Sequence, residues 1–175
     1  MNLVILTEGT QTEIIYFKAL ASRYSRQDIE IRAGKSSDPI RLLNEAIQIQ
    51  KSSSGNVWIV LDAEAQGQDP VRDRRLKKAL LRGPRYGLHF ALSKPCFEAW
   101  LLSHFGDGTQ DYTSNAGSQF YAELLSRKLG ATYQKNNYNV NLLLNEANLH
   151  AASQSPAGAN GLATLLHHFQ CGSPE

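Results

Sequence analysis

Three carboxylates stand out by where they fall. Glu8 follows the apolar run Leu3-Val4-Ile5-Leu6 after Thr7 and precedes Gly9; Asp62 and Glu64 follow a second run, Val57-Trp58-Ile59-Val60-Leu61. Buried strands of a parallel sheet end in this way, and the carboxyl edge of such a sheet is where α/β proteins keep their sites. A single acid at a strand end has an ordinary alternative, as a helix cap or a surface group. Acids brought together repel unless a cation sits among them, and Mg²⁺ prefers such hard oxygen ligands. Two ions held this way would clamp the attacking and leaving oxygens of a phosphodiester and help to generate hydroxide. Asp62 and Glu64, two residues apart, point the same way if extended geometry continues past Leu61.

A second constellation is basic. Arg72, Arg74, Arg75, Lys77, Lys78, Arg82 and Arg85 take seven of the chain's eighteen Lys and Arg, interrupted by a single acid, Asp73. Val71, Leu76, Ala79, Leu80 and Leu81 are expected to form the core face of this helix, with the bases filling the rest. A merely solvated face usually mixes charges, whereas an unmixed one suits a phosphate backbone.

The third is Ser93-Lys94-Pro95-Cys96-Phe97-Glu98-Ala99-Trp100-Leu101-Leu102-Ser103-His104-Phe105. On a helix, Glu98 shares a stripe with Leu101, Leu102 and Phe105. A carboxylate on an apolar face is costly unless it is paired or ligated, so Glu98 either has a backbone or arginine partner or works with a metal. Cys96 reads as a small core residue, since no base is placed for it locally, and His104 as a helix-end residue near the C-terminal dipole. Gly9-Thr10-Gln11-Thr12 lacks the glycines and lysine of a phosphate loop, and no nucleophile elbow is present.

The elements that must carry these residues follow from periodicity. Thr12 to Arg23 reads as a helix capped by Thr10 or Thr12, with Ile14, Ile15, Phe17, Leu20 and Ala21 inward. Ile29 and Ile31 alternate with polar residues as an edge strand. Asp38-Pro39 opens a helix to about Gln50, with Leu42, Leu43, Ala46 and Ile47 inward, and Asp69-Pro70 opens the basic helix. The run Val57 to Leu61 is a central strand buried on both faces. Leu88 to Leu92 is the last strand and Cys96 to Phe105 the next helix. Beyond a Gly- and Asn-rich link, Gly106 to Gly117, only helices are expected: Gln119–Leu129, Val140–Ala152 and Gly161–Phe169. Strands alternating with helices predict an α/β fold with a mainly parallel sheet. Residues 1–105 form its core and 106–175 a helical extension packed on it.

Bulk properties agree. The chain has 175 residues, 42% of them hydrophobic and 19% charged, enough to bury a core. No apolar run approaches the roughly 18 residues of a membrane helix, and the strand so close to Met1 leaves no room for a signal peptide. Cys96 and Cys171 lack metal spacing and are too few for a disulfide framework, which predicts a cytoplasmic protein.

Three of these stretches resemble motifs of the RloB-like family, whose members carry a Toprim-type catalytic domain. Thr7-Glu8-Gly9-Thr10-Gln11-Thr12-Glu13-Ile14-Ile15-Tyr16-Phe17 resembles the family's "EGxxTExxYF" opening, and Val60-Leu61-Asp62-Ala63-Glu64 its second motif. The segment from Ser93 to Phe105 is similar to its "SNPCFExWLLxHF" signature, and Tyr133-Gln134-Lys135 to a later "YxK" element. The similarity spans Leu3 to about Phe169.

The resemblance implies a Rossmann-like Toprim fold and Mg²⁺-dependent cleavage of nucleic acid, with Mn²⁺ as an alternative ion. It also implies a bacterial anti-phage setting and admits an ABC-type ATPase as partner. Glu8 carries over as the Toprim glutamate, Asp62 and Glu64 as the aspartate pair, Glu98 as the signature acid and Lys135 as the signature lysine. Two departures stand out. The usual DxD is here Asp62-Ala63-Glu64, which keeps the charge but lengthens the second side chain by a methylene, and Lys94 replaces the usual Asn.

The expectation is a nuclease in which Glu8, Asp62 and Glu64 hold Mg²⁺, with Glu13 and Glu98 completing a second site. Lys135 supplies a fixed positive charge to the transition state, and the basic helix with Lys94 holds DNA or RNA, tRNA included. The alternative is a catalytically weak binding or regulatory subunit on the same fold, acting with an ATPase. A third class is a phosphatase with Asp62 as nucleophile. A homo-oligomer is compatible with each.

Overall fold

The computed structural model describes residues 2–63, 69–106, 118–155 and 161–171. Strands β1 (Leu3–Thr7), β2 (Ile29–Ala33), β3 (Asn56–Asp62) and β4 (Leu88–Ser93) form one sheet in the order β2-β1-β3-β4. Every neighbouring pair is parallel. The crossovers carry α1 (Thr12–Arg23), α2 (Pro39–Ser52) and α3 (Pro70–Arg82). After β4 come α4 (Phe97–Ser103), α5 (Ser118–Leu129), α6 (Glu146–Gln154) and α7 (Leu162–Cys171).

Period-two alternation splits the strands between two cores. Leu3, Ile5, Trp58 and Val60 pack with Tyr16, Phe17, Trp100 and Leu165 on one face. Val4, Leu6, Ile59 and Leu61 pack with Leu42, Leu43, Ala46 and Leu76 on the other. Covered on both sides, β1 is buried along its whole length, which is why it carries no polar residue before Thr7. β2 lies at an edge and keeps only Ile29 fully buried. This is a Rossmann-like α/β sandwich. The later helices join it: Tyr121, Leu125, Leu149 and Phe169 share one core with Tyr16 and Phe97. Among the described residues no helix is long and apolar enough to cross a membrane.

The chain runs from β1 to β2 on one side and then returns to β3 on the other. β1 and β3 are therefore the pair at which the strand order reverses, and a crevice opens beyond their carboxyl ends.

Four local expectations are corrected. The first position before α1 is Gln11, and no side chain caps that helix. Its buried face is Thr12, Glu13, Tyr16, Phe17 and Leu20, with Ile14 and Ile15 only half-buried, because the first turn aims polar residues into the crevice. In α3 only Leu76 and Ala79 are fully buried; Val71 and Leu81 are exposed, since this helix packs chiefly on α2. The expected helix from Val140 to Ala152 is interrupted. A short 3-10 turn covers Val140–Leu142, and Asn145 then caps α6 by accepting the Asn148 N–H.

Candidate functional site

The ends of β1 and β3 meet. Thr7 is in register with Val60, and one residue on the Glu8 N–H donates to the Val60 carbonyl at 2.9 Å. The Glu8 carboxylate turns across β3, where its Oε2 accepts the Asp62 N–H at 3.1 Å. It also meets Arg72 of α3, whose Nη2 lies 2.9 Å from both Glu8 oxygens. Asp62 is registered opposite Ser93 of β4, and the Ser93 hydroxyl donates to Asp62 Oδ1.

Two further acids come from helices. Glu13 is 7% exposed and sits over Gly9, where a Cβ would meet its Oε2 at 1.9 Å. Glu98, at the start of α4, is 3% exposed. Its Oε1 accepts the Tyr133 hydroxyl at 3.2 Å and faces Lys135 Nζ at 3.5 Å. Tyr133 also bonds the Thr12 hydroxyl at 2.9 Å, and the Tyr138 hydroxyl donates to the Thr12 carbonyl at 2.9 Å. The stretch behind α5 is thus tied to the first turn of α1, and that tie delivers Lys135. Glu8, Glu13, Asp62, Glu98 and Lys135 line one cleft of about 300 Å³.

Like charges in a shielded place resist ionisation. Burial raises the Asp62 carboxyl well above its usual value, and Glu13, Glu8 and Glu98 add to this, while the Ser93 hydrogen bond opposes it. Glu13 is raised by burial first, with Glu98 and Glu8 contributing. Burial alone would lower the Lys135 ammonium, but Glu98, Asp62 and Glu13 outweigh it and the net shift is upward. The cleft therefore carries an excess of negative charge that a cation would relieve. Its donors are all hard oxygens, the chemistry that suits Mg²⁺ or Mn²⁺. Among the described residues no three acids, histidines or cysteines are gathered tightly enough to hold a metal ion. Glu8 is engaged by Arg72, Asp62 by Ser93, and Glu98 by Tyr133 and Lys135.

Of the residues singled out in the sequence, Glu8, Glu13, Asp62, Glu98 and Lys135 converge; Glu64 lies outside the described residues. The basic helix divides. Arg74, Arg75, Lys77, Lys78 and Arg85 are exposed, while Arg72 and Arg82 are half-buried. Arg75 bonds the carboxylate of Asp38, the residue that caps α2. Lys94 is exposed just past Ser93 and does not belong to the cleft wall. Cys96 is buried, as expected of a core residue. His104 does follow the end of α4, but it is fully buried and accepts or donates at 3.0 Å to the Tyr16 hydroxyl. Burial lowers its pKa to about 4, so it carries no charge for the helix dipole to favour.

Three contributors were not singled out. Ser93 would follow from placing β4 beside β3, Tyr133 from its position two residues before Lys135, and Thr12 only from the fold.

A family model described as RloB-like protein matches residues 3–162 of the chain. No curated protein matches it. Among solved structures, a de novo designed Rossmann fold protein is similar at 18% identity and a TM-score of 0.42, covering 53% of this chain and 84% of its own.

Proposed function

The chain belongs to the RloB-like family, and we propose that it is a divalent-cation-dependent nuclease whose active site is the carboxylate cleft at the β1/β3 crevice. The observation that carries this reading is the convergence of Glu8, Glu13, Asp62 and Glu98, from two strand ends and two helices, on one cleft with Lys135. Burying and crowding these acids opposes their ionisation, the direction in which Asp62 and Glu13 are shifted.

In this reading Glu8, Asp62 and Glu13, with Glu64 from the segment after β3, hold Mg²⁺ or Mn²⁺. The ion supplies charge neutralisation on the scissile phosphate and acidification of a water. Glu98, hydrogen-bonded by Tyr133, accepts a proton or orients that water. Lys135 presents a fixed ammonium toward negative charge that develops in the transition state. The exposed bases of α3, beginning one turn from the cleft, hold the phosphate backbone of DNA or RNA.

One observation favours a second reading, a binding or regulatory subunit working with an ATPase: Arg72 already holds both Glu8 oxygens. The two separate in one experiment. Purified protein is incubated with plasmid, single-stranded DNA and tRNA in Mg²⁺, Mn²⁺ or EDTA. Cleavage of any substrate that needs the cation and is lost in Glu8→Gln supports the nuclease. Salt-sensitive binding with no cleavage under any condition supports the subunit.

A further inference from the structure

Arg72 behaves unlike the other cations of α3. Arg74, Arg75, Lys77 and Lys78 are exposed, whereas the Arg72 side chain is 13% exposed and reaches back over the end of β3. Its Nη2 is 2.9 Å from each oxygen of Glu8 and donates to the Asp62 carbonyl at 3.1 Å. Its Nη1 donates to the Ser37 carbonyl at 2.7 Å. One guanidinium therefore joins the ends of β1 and β3 to the segment before α2. Charge-assisted bonds of this kind are about twice as strong as neutral ones. With Arg72 in place the Glu8 side chain is 14% exposed; without it Glu8 would face Glu13, Asp62 and Glu98 with one fewer balancing charge.

Glu8 is also the acid that the nuclease reading assigns to the divalent cation, and its two oxygens cannot fully serve both. We propose that Arg72 is an exchangeable counter-ion of Glu8, released when Glu8 takes a divalent cation and then free to bind a substrate phosphate. Its place in the first turn of α3 puts it one turn before the exposed Arg75. A guanidinium pairs with a carboxylate or with a phosphate, so the Nη2 group that now meets Glu8 has a partner in either position. Cation and nucleic acid then bind cooperatively, and linkage requires each to tighten the other by the same factor. A permanent strut would show no such coupling. The inference rests on the cation-dependent reading above.

Mn²⁺ binding, followed by electron paramagnetic resonance, tests it without relying on turnover. The proteins are the wild type, Arg72→Gln, Arg72→Lys and Glu8→Gln, each with and without a phosphorothioate oligonucleotide. Without oligonucleotide, Arg72→Gln is expected to bind Mn²⁺ about tenfold more tightly than the wild type, with Arg72→Lys between them. The oligonucleotide is expected to tighten Mn²⁺ binding several-fold in the wild type and not in Arg72→Gln. Should Arg72→Gln fail to melt cooperatively, Arg72→Lys decides: tighter binding than wild type supports exchange, and equal or weaker binding overturns it. Mn²⁺ binding that depends on Glu8 but is unchanged or weakened by loss of Arg72 refutes exchange and leaves the nuclease reading standing. No Mn²⁺ binding by any of the four proteins brings down both.

Discussion

Lys135 Nζ stands 3.5 Å from Glu98 Oε1, so a lysine from the stretch behind α5 faces an acid of α4 inside the cleft. The pair is lopsided. The Glu98 side chain is 4% exposed and that of Lys135 60%, and with its cation so open to solvent the pair adds little to stability. Its value in the proposed reaction is electrostatic. Lys135→Met is therefore expected to leave the melting temperature within about 2 °C of wild type while cation-dependent cleavage falls about 100-fold or more. Lys135→Arg should recover part of the loss. Thermal melts and initial rates on one preparation check this, and an activity loss matched by unfolding would refute it.

Tyr133, a buried residue, holds that arrangement from behind, with hydroxyl contacts to Glu98 and Thr12. Tyr133→Phe keeps the packing and removes the hydroxyl. The expected stability loss is about 1 kcal/mol, the usual net worth of one hydrogen bond. The expected kinetic effect is a kcat lowered about tenfold with KM within about twofold, because a misplaced Glu98 weakens the reacting geometry and not substrate capture. A change confined to KM would show that Tyr133 does not position the reacting groups.

How much of this was readable beforehand differs between levels. The sandwich and its crevice were legible because β1 and β3 are uninterrupted apolar runs ending in acids, a pattern that only a doubly covered strand tolerates. Asp38-Pro39 and Asp69-Pro70 named two helix starts, and both aspartates do accept the N–H groups of those first turns. Arg72 was legible as a base but not as the partner of Glu8, because 64 residues separate them and only the crossover geometry brings them together. Val71 and Leu81 misled for a related reason. Helical spacing marks a face as apolar, but whether that face meets the core depends on a neighbouring helix, here α2. Glu13 was legible as a first-turn acid, while its burial over Gly9 was not.

That contact makes Gly9 a test of the cleft. A Cβ at this position would lie 1.9 Å from Glu13 Oε2 and 2.2 Å from Cδ, so the carboxylate must swing away. Gly9→Ala is expected to fold, since the group that must yield is the end of a flexible side chain. Mn²⁺ affinity should nonetheless drop about tenfold or more through loss of a carboxylate ligand. Circular dichroism with Mn²⁺ titration separates the two effects. Unchanged affinity would remove Glu13 from the ligand set.

The exposed bases of α3 give a prediction on binding alone. Lys77 and Lys78 are exposed on the outward face of the helix, so Lys77→Glu with Lys78→Glu should leave the fold intact. Nucleic-acid affinity should fall uniformly across sequences, and the slope of log K against log salt should shrink by about two contacts. Fluorescence anisotropy over a salt series measures both, and an unaltered slope would place the phosphate backbone elsewhere.

The pH dependence of stability follows from the acids of the cleft. Asp62 and Glu13 have folded-state pKa values raised above 3.8 and 4.5, so the folded protein holds these protons more tightly than the unfolded chain. Their contribution is fully present below those unfolded values and is lost as pH rises through the folded ones. Asp28 runs the other way. The Arg26 hydrogen bond lowers it from 3.8 to about 2, so its contribution is present above the first value and lost as pH falls through the second. As pH rises above those unfolded values the cleft should therefore dominate, and stability should decline as the acids ionise. Asp62→Asn removes one charge and leaves an oxygen for the Ser93 hydroxyl, so it should raise the melting temperature at alkaline pH, where the carboxyl ionises, and do little near the unfolded value. Saturating Mg²⁺ should raise the wild-type melting temperature at the higher pH and have a much smaller effect on Asp62→Asn. Melting curves across that pH range, with and without the ion, decide the matter: a wild type whose stability is flat in pH and indifferent to Mg²⁺ would mean that these carboxylates neither repel one another in the folded chain nor bind a cation.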